Sequence, residues 1–183
     1  MEWIIVIVVL VVLVGLFFLN TYNRLVKQRN RVDNAWGQVE VQLQRRYDLI
    51  PNLVETVKGY ASHERATFER VAEARSAAGR ASGPVEQAQA DNILTSALRQ
   101  LFAVAEDYPE LRASDNFASL QSDLSDTENK IAVSRQIYND TVLTYNTSVQ
   151  QVPTNIVASM TGFRTRETYD AVDLADTAPE VSF

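Results

Sequence analysis

WIIVIVVLVVLVGLFFL, residues 3–19, runs without a break into NTYNRLVKQRNRVDNAWGQVEVQLQRRY, residues 20–47, and the two stretches read together decide the fold. In the first, sixteen of 17 residues are apolar and the exception is Gly15. At about 1.5 Å of rise per residue, such a helix covers roughly 26 Å, and flanking Glu2, Asn20 and Tyr22 carry it to the two interfaces. Trp3 and Tyr22 stand near the ends, where aromatic rings favour the headgroup region. A cleaved signal peptide would show a basic leader, a shorter apolar run and a small-residue cleavage site, and none of these is present. Residues 3–19 are therefore read as a retained membrane span, with Trp3, Val9, Gly15 and Leu19 marking its course.

In residues 20–47 the apolar positions Leu25, Val32, Trp36, Val39 and Leu43 recur at spacings of 7, 4, 3 and 4, the stripe of a helix with one buried face. With no breaker before it, this helix is expected to continue straight out of the membrane. Asp48 and then Pro51, a residue tolerated in a first turn, predict a second helix over 50–79. Its stripe is Ile50, Val54, Val57, Ala61, Glu64, Phe68, Val71, Arg75 and Ala78, and the turn GRASGP at 79–84 ends it. A third helix is expected over 84–106 and a fourth over 115–152, the latter capped by Ser114 and free of Gly and Pro until Pro153. No segment alternates with period two for long enough to suggest a sheet. Such seams need one another, so the predicted class is all-α. An anchor at 1–20 continues into an antiparallel, up-down four-helix bundle at 21–152, followed by a short tail at 153–183.

Across 183 residues there are 17 Lys and Arg against 23 Asp and Glu, one histidine and no cysteine. Without cysteine there is no disulfide scaffold, thiolate metal site or thiol nucleophile. His63 alone cannot build the paired Glu-x-x-His sites of metal-binding bundles, so neither a cofactor nor catalysis is expected. A net charge of −6 argues against nucleic acid as a partner. Glu64, which falls in the second stripe beside His63, reads as a polar core residue paired with an arginine such as Arg45, Arg46 or Arg135. Arg135 is taken as its partner in fixing helix register.

Charge also sets the expected orientation. Arg24, Lys27, Arg29 and Arg31 follow the span while only Glu2 and the terminal amine precede it, which places the N-terminus outside and the bundle in the cytoplasm. In an up-down bundle the 79–84 turn and the tail return to the membrane. Arg80, Arg164 and Arg166 then join the first four cations in a basic foot, attracted to anionic lipid at about 1 kcal/mol per charge. Ile156, Val157, Met160 and Phe163 give the tail a short apolar face, which either lies in the lipid interface or covers the bottom of the bundle.

RNRVDNAWGQVEVQLQRRYDLIPNLVETVKGYASHE at 29–64 resembles the signature block of the LemA family. TENKIAVSRQIYNDTVLTYN at 127–146 is similar to its second block, and VPTNIVASMTGF at 152–163 with the final VSF to its tail. Val152 departs from the aromatic residue expected before Pro153. The resemblance implies a bacterial membrane-anchored helical bundle with no established enzymatic activity. Its relatives are linked to membrane shaping in magnetosome formation, to sensor or stress pathways, and to membrane proteases. The expected function is a non-enzymatic scaffold of the inner membrane whose partners are the lipid bilayer and further copies of itself. The alternative is an adaptor presenting its bundle to a membrane protease or sensor protein.

Overall fold

The computed structural model describes residues 1–169, and every regular element among them is helical. In chain order these are α1 (Glu2–Lys58), α2 (Arg65–Ala78), α3 (Gly83–Glu106), α4 (Pro109–Arg112), α5 (Asp115–Gln150) and α6 (Thr154–Thr161). The terminal VSF and the rest of the tail beyond 169 lie outside the described residues. Among those residues α1 is the one helix long and apolar enough to cross a membrane. Its side chains from Trp3 to Phe17 are exposed, whereas burial begins at Thr21 and Leu25 and continues through Val32, Ala35, Val39 and Leu43. Trp36 is half-buried, its ring 5.3 Å from that of Tyr138, and the small Ala35 takes the innermost place.

The expected break before Pro51 is absent: α1 continues through it to Lys58, so the helices predicted at 20–47 and 50–79 are divided elsewhere. A proline inside a helix leaves the carbonyl four residues back without its N–H partner. That carbonyl belongs to Tyr47, and Arg75 Nε donates to it at 2.9 Å from α2. A side chain distant in sequence thus fills the vacancy that would have ended the helix. The chain turns instead at 59–64, where the N–H groups of Tyr60 and Ala61 both bond to the Val57 carbonyl and Ala61 is fully buried.

α3 starts from an extended Ser82 whose N–H donates to Glu86 Oε2 at 3.0 Å, with Pro84 in the first turn. Gly83 has φ +76°, a left-handed value that a Cβ would strain.

The described chain divides into two compact units. The first contains residues 1–38 and 136–167. Here α1 meets the end of α5, where Gln28 Nε2 donates to Ser148 Oγ at 2.9 Å, and α6 buries Thr154, Val157 and Ala158. The second contains residues 39–135 together with residues 168 and 169. In it α2 packs on α3, and Leu43, Ile50, Val57, Val71, Leu94, Leu101 and Ile131 are among its buried apolar side chains.

Candidate functional site

In the first unit the residues around the end of the apolar run form a polar cluster. Arg24 Nη2 donates to Thr154 Oγ1 at 2.9 Å, tying α1 to the first residue of α6. Thr21 and Thr154 are both buried. Beside them is a cavity of about 340 Å³ lined by Phe17, Asn20, Thr21 and Arg24 of α1 and by residues 151–154.

α6 ends at Gly162, whose φ of +77° reverses the chain, and the Phe163 N–H bonds to the Ala158 carbonyl at 3.0 Å. That reversal turns Phe163 onto α1, with the Tyr22 ring 5.7 Å away edge-on and the Arg29 guanidinium 5.4 Å from its centroid. Phe163 is consequently buried against α1, the covering one of the two places expected for it. Ile156 and Met160, four residues apart on the opposite side of α6, are 56% and 71% exposed.

Beyond α6 the chain is bonded down. Asn146 Nδ2 donates to the Arg166 carbonyl and its Oδ1 accepts from the Arg166 N–H, both at 2.8 Å. Tyr138 Oη donates to the Glu167 carbonyl at 2.8 Å. Arg166 Nη2 lies 3.0 Å from Asp33 Oδ1, so this cation of the expected basic foot is paired within the protein. Lys27, Arg31 and Arg164 are exposed, and Arg80 is exposed in the second unit, in the turn after α2. Burial raises the pKa of Tyr138 and Tyr145 above the ordinary phenol value, and the Arg166 guanidinium partly opposes the rise.

The second unit contains a buried charge cluster. Arg46 on α1 has no solvent exposure. It pairs with Asp91 of α3, donates through Nη2 to Thr95 Oγ1 at 2.7 Å, and its Nε is 2.7 Å from Glu128 Oε1 of α5. Burial raises the pKa of Glu128 above the usual carboxylate range; Arg46 and Arg135 pull it down while Asp91 pushes it further up. Gln87 Nε2 donates to the Tyr47 hydroxyl, and Tyr47 is pushed up to about 12, first by burial and then by Asp91. Tyr169, also buried, is raised chiefly by desolvation. The Arg135 guanidinium stacks 4.4 Å from the centre of its ring.

The expected register pair of Glu64 with Arg135 is therefore replaced. The turn at 59–64 leaves Glu64 half-buried as the residue before α2, and Arg135 lies on Tyr169. Asp91, Thr95, Glu128, Tyr47, Gln87 and Tyr169 escaped sequence reasoning, and Arg46 figured only as one of three alternatives. A signal was available: Leu25, Val32, Val39, Arg46 and Leu53 are successive sevens along α1, and each is at most 2% exposed. Chemically the cluster joins α1 to α3 through charge-assisted hydrogen bonds and to α5 through an ion pair. Among the described residues no group of three or more His, Asp or Glu side chains is placed to hold a metal ion.

Comparison with known proteins adds lineage to this geometry. The profile of the LemA family matches residues 35–183. Magnetosome proteins MamQ 1 and MamQ 2 of Paramagnetospirillum magneticum are each 28% identical to the chain, across 85% of it and 67% of their own length. Protein LemA of Metamycoplasma hominis is 24% identical, across 79% of this chain and 68% of its own.

Proposed function

The chain belongs to the LemA family, and on that premise we propose that it is a single-pass inner-membrane protein whose cytoplasmic helices form an antiparallel bundle. The bundle acts as a non-enzymatic scaffold that self-associates in the plane of the membrane. The observation that carries this reading is α1: span and bundle helix are one uninterrupted element from Glu2 to Lys58. A helix that continues from the apolar run into the folded part ties that part directly to the lipid, as a scaffold requires. The name of the MamQ relatives, magnetosome protein, supports a role in membrane organisation. Val41 and Ile93, 64% and 60% exposed on α1 and α3, supply apolar side chains for contacts between copies.

The test is the mass of the full chain in mild detergent, together with cross-linking in the membrane through an Ile93→Cys variant. A homo-oligomer cross-linked through position 93 is the expected result. A monomer recovered only in complexes with a protease or sensor protein would replace the scaffold with an adaptor. Ile93→Lys is expected to dissociate the oligomer while leaving helicity and melting unchanged.

A further inference from the structure

We infer that the cavity of about 340 Å³ in the first unit is a binding site for the phosphodiester headgroup of a glycerophospholipid. The inference rests on the reading of residues 3–19 as the membrane span, and depth is its first support. Arg24 follows Leu19, the last residue of the apolar run, by five positions, about 7.5 Å along the helix, which is the distance from hydrocarbon to headgroup phosphate. Phe17 lines the same cavity seven positions earlier, about 10 Å deeper, where the acyl chains begin.

Chemistry is the second support. Among the described residues no carboxylate pairs with Arg24, in contrast to Arg46 and Arg166. Its bond to Thr154 holds the guanidinium at the cavity wall and leaves other N–H donors for a ligand. Asn20 and Thr21 add further polar groups to the lining, beside Thr154 in the same wall. A guanidinium with no carboxylate partner and the neighbouring hydroxyl and amide groups, with an aromatic ring below them, form a lining polar above and apolar beneath. The volume lies in the range of small-ligand sites, about 300–1,000 Å³. A free phosphate would satisfy the upper half alone; Phe17 and the depth of the site favour the lipid.

The full chain is delipidated in mild detergent and titrated with phosphatidylglycerol by native mass spectrometry, with inorganic phosphate as a separate arm. One phospholipid per chain is expected. Arg24→Gln should weaken its retention by about tenfold, the effect of losing one charge-assisted hydrogen bond. Thr154→Val should weaken it in the same direction. Lys130→Gln, which removes an exposed charge in the second unit that belongs neither to the cavity nor to the basic foot, should leave retention within about twofold of the unmodified chain. Circular dichroism and melting of Arg24→Gln separate loss of the site from loss of fold. Retention unchanged in Arg24→Gln, or reduced equally in Lys130→Gln, would overturn the site. Phosphate binding that depends on Arg24 while no lipid is retained would make it a free-anion site and overturn the lipid assignment. Membrane fractionation of cells tests the span separately: failure there removes the premise, whereas failure of the titration removes only the cavity.

Discussion

A guanidinium cut off from water depends on what it bonds to, and at Arg46 those partners are Asp91, Thr95 and Glu128. Arg46→Met would leave Asp91 buried without its cation, and breaking such a pair costs about 3–5 kcal/mol. The expected outcome is a urea midpoint lowered to match, read on the detergent-solubilised chain. A shift under about 1 kcal/mol would show that water reaches the site. Glu128 carries a pH signature. Because burial holds its folded pKa above the ordinary 4.5, the folded state binds this proton more tightly than the unfolded chain. The resulting stabilisation is complete below 4.5 and is lost as pH rises through the raised folded value. Between about pH 4 and pH 7, stability should therefore fall in the unmodified chain relative to Glu128→Gln, and parallel curves would refute the linkage. The cluster was only half legible beforehand. Arg46 stands in a strict sevenfold register with core residues, but the pattern of one helix cannot say which carboxylates of α3 and α5 will face it.

At the scale of elements, the all-helical class and the long apolar first helix were readable because periodicity and run length are local properties. The division of α1 was not. Asp48 followed by Pro51 is the local pattern of a helix start, and what cancels it is the hydrogen bond from Arg75, 28 positions away. Arg75→Met should destabilise by about 1–3 kcal/mol by orphaning the Tyr47 carbonyl. In a Pro51→Ala background that cost should shrink, since the restored N–H at 51 bonds to the same carbonyl. Equal costs in both backgrounds, measured as a double-mutant cycle, would show that Arg75 acts by another route. α6 presents a similar division of labour. Phe163 is committed to Tyr22 and Arg29, whereas Ile156 and Met160 face outward. If that face lies in the lipid interface, an environment-sensitive dye on Met160→Cys should emit blue-shifted in nanodiscs and be quenched by nitroxide lipids. A water-like spectrum would leave α6 as a cover for its own unit.

At the scale of the whole molecule, the net charge of −6 conceals an asymmetry along the chain: residues 24–46 carry six basic and two acidic side chains, and residues 47–183 carry 11 and 20. Orientation is governed by Lys and Arg close to the span and little by distant acids, so the first group decides it. Arg24, Lys27, Arg29 and Arg31 all fall within about 12 residues of Leu19, inside the window in which such charges act. With no native cysteine, a single Ser82→Cys at an exposed turn reports the compartment of everything after the span. Labelling by an impermeant thiol reagent is expected only after the inner membrane is permeabilised. Replacing the four cations with Gln and Glu2 with Lys should shift part of the population to external labelling, because the bias is then reversed. External labelling of Ser82→Cys in the otherwise unchanged chain would put the folded part outside, and the headgroup beside Arg24 would then belong to the opposite leaflet.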